Sequence, residues 1–213
     1  MEWTQLQQEA KDKGYLVFAM NQAETVQSTE PGPWGAISGG YCLGLSATWA
    51  AFAYKGMKFP VEGDICVNPP WQATAIQNLV SDSNGITHWT QYWQLGATYW
   101  QCGLSKGLRA ERHHKPTASF LWSIMSKAYG CYAVTLTRAK QGGVKGGAHA
   151  ICLRHAPDDR YHLFDPNRFH IVVDDAAAFR AFVSRYIYLM GYEKDYPSLT
   201  GIVGIAPHVN GGP

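Results

Sequence analysis

Gly40-Tyr41-Cys42-Leu43-Gly44-Leu45-Ser46-Ala47-Thr48-Trp49 is the stretch on which the reading of this chain turns. Before it, residues 21–40 collect Gly, Pro, Ser, Asn and Gln, including Pro31-Gly32-Pro33 and Gly39-Gly40, and read as a long loop. From Cys42 the pattern changes. Cys42, Leu45, Ser46, Trp49, Phe52 and Ala53 recur at helical spacing, with Gly44, Ala47, Ala50 and Ala51 between them. That predicts a buried helix whose first turn carries the cysteine and which stops near Gly56. A thiol is a good nucleophile as a thiolate, and the positive end of a helix favours that form. Cys42 is therefore a candidate nucleophile, and the glycines before it leave room for another backbone to approach.

Toward the N-terminus, residues 4–13 read as a short polar helix and Tyr15 to Met20 as a strand. Downstream, residues 70–83 and 86–102 read as two further helices. The rings of the second (Trp89, Tyr92, Trp93, Tyr99, Trp100) are expected to pack it on the core. Arg109 to Lys115 reads as a solvated loop or helix end, and Ala118 to Ala128 as a helix with Pro116 near its start. Beyond Gly130 the period switches to two. Strands are expected at Cys131–Leu136, Ala148–Arg154, Tyr161–Phe164 and His170–Val173, with a glycine-rich turn from Gln141 to Gly147. Asp174 is the expected cap of a helix running to about Tyr188, and Gly201 to Ala206 a last strand closing the sheet. A mostly helical first half, its central helix bearing the nucleophile and packed on an antiparallel β-sheet, is an α+β layout. Residues 1–213 are expected to form a single domain.

Composition narrows the function. Hydrophobic residues make up 46% of the chain and charged ones 16%, so a packed core is expected and a disordered chain is not. The formal net charge of +2 comes from scattered positives, and the one short basic cluster, Arg109 to Lys115, does not make the stripe that nucleic acid needs. The N-terminus lacks a basic segment followed by an apolar one, and no run approaches the ~20 apolar residues that span a bilayer. The expectation is a protein made in the cytosol, not inserted in a membrane, and exported by a route that reads no cleavable signal. Five cysteines (42, 66, 102, 131, 152) without regular spacing do not form a disulfide framework, and the absence of CxxC argues against structural zinc. Cys131 and Cys152 read as buried small hydrophobes. No cofactor and no metal are expected.

A cysteine nucleophile needs a histidine partner and a third group that orients the ring. Among eight histidines, His113 and His114 lie in a polar stretch and His208 near the end of the chain. His149 begins a strand just after the glycine-rich turn, where a side chain can face a cleft. His155 faces the same side about 20 Å further along, and Cys152 the opposite side, so neither makes a metal pair with His149. Asp165 ends the following strand at Phe164-Asp165-Pro166-Asn167, a turn signature, and can neighbour His149 across a hairpin.

Gly40–Trp49, Gly147-Ala148-His149-Ala150 and Leu163-Phe164-Asp165-Pro166-Asn167, in this order and at these intervals, resemble the YopT/AvrPphB-type cysteine proteases of the papain superfamily. The resemblance covers roughly residues 35–175. It implies a papain-like fold and a catalytic triad of Cys42, His149 and Asp165 acting by thiol acyl transfer. It also implies a secreted bacterial effector or toxin that hydrolyses a peptide or amide bond in a target-cell protein. An immunity protein or a secretion chaperone would be a natural partner. Leu43-Gly44-Leu45 fits the family's helix only approximately. The positions before Cys42 hold Ala36, Ile37 and Ser38 where an amide of the oxyanion hole would be sought. Asn21, Gln22 or Gln27 could fold back to supply it, with Gln27 the candidate taken. Three other readings stay open: a peptidoglycan amidase or endopeptidase toxin aimed at competitor bacteria, a transglutaminase-like acyl transferase, and a catalytically silent binding module on the same scaffold.

Overall fold

The computed structural model describes residues 2–21, 42–59, 104–113, 115–137, 148–195 and 198–207. The two helices expected at 70–83 and 86–102, the glycine-rich turn, Cys66 and Cys102 lie outside them.

Helix α1 (Trp3–Asp12) precedes strand β1 (Leu16–Ala19), and α2 (Cys42–Tyr54) carries the candidate nucleophile. Then come β2 (Leu104–His113), α3 (Ala118–Met125), β3 (Gly130–Thr137) and β4 (Ala148–His155). The chain continues through β5 (Tyr161–Asp165), β6 (Phe169–Val173), α4 (Ala176–Leu189), α5 (Tyr192–Asp195) and β7 (Ser198–Pro207). Among the described residues the strands form one antiparallel sheet in the order β1-β6-β5-β4-β3-β7-β2. The architecture is α+β.

Alternation along the strands sorts the core into two layers. Tyr132, Val134, Ile151, Leu153, Leu163 and Ile171 face α1, α3 and α4, where Leu6, Leu121, Ile124, Phe179, Phe182 and Tyr186 complete one cluster. The opposite face presents smaller side chains, Cys131, Ala133, Ala150 and Cys152, and α2 packs there through Leu45, Ala47, Trp49 and Ala50. Both thiols are buried and free, as their apolar settings implied. Trp49 lies flat on Phe164 with centroids 5.3 Å apart and planes 3° apart. The hydroxyl of Ser46 donates to the Ala150 carbonyl at 3.2 Å, fixing the helix against the start of β4.

Gly56 ends α2 as its position implied. It sits at φ +66°, and Met57 N–H reaches back to Phe52 while Gly56 N–H reaches Ala53. Those two bonds close the last turn in the left-handed conformation that glycine adopts without strain.

Four expectations shift. Arg109 to His113 is neither loop nor helix end but the second half of β2, whose backbone pairs with β7. Strand β7 does not close an edge; it lies inside the sheet between β3 and β2. Helix α3 stops at Met125 rather than Ala128: Ser126 N–H still reaches Trp122 four residues back, but Lys127 N–H turns to Ile124, three back. The cap of α4 is Asp175, not Asp174: its Oδ1 accepts from Ala178 N–H at 2.6 Å, the three-residue reach of a cap.

Candidate active site

The first turn of α2, the start of β4 and the β5–β6 turn converge. Cys42 is the first described residue of α2 and is buried in the small-residue layer. His149 is the second residue of β4, also buried. Its position on the strand shares the parity of Ile151, and Asp165 shares that of Leu163, so both sit on the α4 side of the sheet. Register pairs Cys152 with Phe164, which brings the start of β4 beside the end of β5. The hairpin thus makes His149 and Asp165 neighbours although 16 positions separate them in the chain.

The turn after β5 is built by the motif itself. Arg168 N–H bonds to the Asp165 carbonyl at 2.9 Å, closing a four-residue turn with Pro166 second. Within that turn Asn167 N–H bonds to Asp165 Oδ1 at 2.8 Å. The same Oδ1 receives His149 Nε2 at 3.0 Å. The other oxygen, Oδ2, accepts the hydroxyls of Tyr186, from α4, and Tyr192, from α5, the latter at 2.6 Å. Asp165 is fully enclosed, with 0% exposure, and these four donors occupy a carboxylate's acceptor sites.

The charges follow from this enclosure. Burial would push the Asp165 carboxyl up, but the His149 charge and hydrogen bond and both tyrosine hydroxyls outweigh it and hold it below the usual aspartate range. Burial, then Asp165 and Tyr192, push the Tyr186 phenol well above its ordinary value, so it stays a donor. For His149, burial acts downward. The Asp165 carboxylate, by charge and by hydrogen bond, and then the Cys42 thiol outweigh burial and raise the ring to about 10.

The hydrogen-bonding of the imidazole fixes its roles. An ionised Asp165 accepts, so Nε2 carries a proton, and Nδ1 is left as the nitrogen for the thiol. The Asn167 amide also stands at Nδ1, with Nδ2 at 3.4 Å. It serves either ring state: Nδ2 donates to a bare Nδ1, and a flipped amide offers Oδ1 to Nδ1–H. The raised His149 ring thus stands beside a cysteine in the first turn of α2.

The structure therefore brings Cys42, His149 and Asp165 together. Gln27 and Gln22 lie outside the described residues, and Asn21 lies just beyond β1. Among the described residues no cluster of three or more His, Cys, Asp or Glu is placed to hold a metal. No local motif marks Tyr186 or Tyr192 as partners of Asp165. Tyr186 falls on the buried stripe Phe179, Phe182, Val183, Tyr186 and Ile187, and a tyrosine on such a stripe needs a partner for its hydroxyl. That need was visible in the spacing; the partner was not.

The helix that bears Cys42, packed on the antiparallel sheet that carries His149 and Asp165, makes an α+β fold of papain-like type. The Pseudomonas avirulence protein AvrPphB has this fold: its crystal structure matches with a TM-score of 0.53 at 16% identity, covering 78% of this chain and 91% of that one. PatoxP, a cysteine protease-like domain of the Photorhabdus asymbiotica toxin PaTox, matches with a TM-score of 0.48 at 12% identity, over 97% of this chain and 59% of that one. No family model and no curated protein matches the sequence.

Proposed function

We propose that this chain is a papain-like cysteine hydrolase, a single domain over residues 1–213, that cleaves a peptide or amide bond in a protein of a target cell. The observation that carries this reading is the His149 ring, tied by Nε2 to a fully buried aspartate while it reaches the Cys42 thiol. Cys42 attacks the carbonyl as a thiolate. The Nδ1 proton of His149 passes to the leaving amine, and a water deprotonated by His149 then releases the acyl group and restores the thiol. Asp165 keeps the ring oriented and charged throughout. The likeness to an avirulence protein supports delivery into another cell by a specialised secretion system. No helix among the described residues is long and apolar enough to cross a membrane.

The test has two parts. Iodoacetamide at pH 6 should alkylate Cys42 in the wild type at least about tenfold faster than in His149→Ala, because only the pair supplies thiolate at that pH. Cys42 reacting equally slowly in both would sink the assignment. Expression of wild type and Cys42→Ala in bacterial cytosol, bacterial periplasm and eukaryotic cytosol then separates targets. Toxicity in eukaryotic cytosol that Cys42→Ala abolishes supports a protein substrate there, whereas toxicity confined to the periplasm transfers the chemistry to the cell wall.

A further inference from the structure

On the α2 side of the sheet, at the end of α2 far from Cys42, lies a concavity of about 500 Å³. That size is in the range of small-molecule sites. Its walls are aromatic: Phe18 from β1, Trp49 and Phe52 from α2, and Phe59 beyond Gly56. Its floor is polar and comes from three adjacent strands, Arg154 of β4, His162 of β5 and His170 of β6, with Lys58 and Arg160 at the rim. No aspartate or glutamate lines it among the described residues. Along α2 the rise from Cys42 to Phe52 is roughly 15 Å, so this is not the hydrolytic site.

The charge on the floor is unbalanced. Arg160 is neutralised by Asp158, Nε to Oδ2 at 2.7 Å. Arg154 stands directly across from His162 in the β4–β5 register and takes part in none of the ion pairs among the described residues. His162 and His170 stack with ring planes 14° apart and share a hydrogen bond from Nδ1 to Nε2 of 3.1 Å. The remaining His162 nitrogen, Nε2, is buried without a partner. Burial first, then Arg154 and Arg160, against the opposing pull of Asp158, hold His162 at about 4. Burial, His162 and Arg154 hold His170 at about 3. Among the described residues, two neutral imidazoles thus stand beside a guanidinium that joins no ion pair, and no carboxylate lines the floor.

We propose that this concavity is a binding site for a small aromatic oxyanion, a phosphate or carboxylate on a flat apolar body. Arg154 takes the anionic head, and the rings of Phe18, Trp49, Phe52 and Phe59 take the body. The bound anion places negative charge beside the histidine pair, so the pKa of the pair rises on binding. This site stands apart from the thiol chemistry and holds whether or not Cys42 is a nucleophile.

The test is a titration of the full chain with phenyl phosphate, with phenylacetate and with uncharged benzyl alcohol, read from the imidazole C–H resonances of His162 and His170. A saturable response to at least one anion is expected, with binding at least about tenfold tighter than benzyl alcohol. The apparent pKa of the pair should rise by about one unit or more at saturation. Arg154→Gln should weaken anion binding at least about tenfold while leaving the rate of Cys42 alkylation unchanged. Absence of a saturable shift with either anion up to on the order of 10 mM overturns the proposal. So does benzyl alcohol matching the anions, a readout on the wild type alone that holds even where Arg154→Gln does not fold.

Discussion

Tyr186→Phe isolates one donor on Asp165 and asks what it does. The substitution keeps the ring, which packs edge-on against Phe169 at 5.0 Å and Tyr192 at 5.8 Å, and removes only the hydroxyl bonded to Oδ2. A hydrogen bond to a charged group is worth about 1.5–3 kcal/mol. Losing that bond should therefore raise the Asp165 pKa. The sign follows from the buried carboxyl. Its folded pKa is depressed, so the stabilisation it gives His149 exists above the ordinary aspartate range and disappears as pH falls through the folded value. Weakening its donors moves that disappearance to higher pH. At pH 7 Tyr192, Asn167 N–H and His149 still hold the carboxylate ionised, so reactivity there should fall modestly. The assay is the rate of Cys42 alkylation from pH 3.5 to 8, which needs no substrate. The acid limb should move upward by about a unit, and Tyr186→Phe with Tyr192→Phe should move it further. An acid limb unmoved in a variant that is nonetheless destabilised would show that Tyr186 only packs, and would refute the electrostatic account of the aspartate.

Two further outcomes follow from the same geometry. The ring of His149 is raised to about 10 in the folded protein, against an unfolded value near 6.5, so its stabilisation is complete below about pH 6.5 and is lost as pH rises toward 10. In Cys42→Ala, where no thiol shares the ring's proton, denaturant unfolding from pH 6.5 to 7.5 should show stability falling with pH, and adding Asp165→Asn should flatten that slope; a slope unchanged in the double variant would dissociate the proton from the aspartate. Ala150→Leu, under α2, should cost about 1–3 kcal/mol by overpacking, and by displacing the helix that Ser46 ties to β4 it should slow Cys42 alkylation at least about tenfold. Wild-type alkylation in a destabilised Ala150→Leu would mean that close packing of the helix does not set the thiol's position.

The legible parts of this fold were those where local pattern and final environment agree. Strands β3 to β6 showed themselves because short stretches with a period of two stand between turn residues. Helix α2 was visible because a helix pressed onto a sheet keeps its apolar and small residues at helical spacing. Strand β2 was not, since Lys106, Arg109, Glu111 and Arg112 interrupt any alternation and the strand state comes from pairing with β7, a partner far along the chain. The place of β7 inside the sheet was equally hidden, because no local property states which two strands will flank it. At the α4 cap, two adjacent aspartates carry the same propensity, and only the reach of Asp175 to Ala178 N–H distinguishes them.

The candidate site divides along the same line, and the division has a physical cause. Cys42, His149 and Asp165 each sit at a punctuation point of the chain: the head of a helix, the first turn of a strand after glycines, the residue before a proline. Such points are where backbone regularity stops and a side chain can turn toward another element, which is why the sequence marks them. Tyr186 and Tyr192 sit instead within or just after a regular helix, where their rings look like any other core residues. Their work on Asp165 depends on α4 crossing the α4-facing side of β5, a matter of tertiary packing alone. The small residues beneath α2 are of this second kind as well. Ala133, Ala150, Cys131 and Cys152 resemble ordinary strand filling, yet their size is what admits the helix close enough for Ser46 to bond the residue after His149. The chemistry of the site is thus written at element ends, and its geometry is set by residues whose role becomes visible only when the two faces of the sheet are told apart.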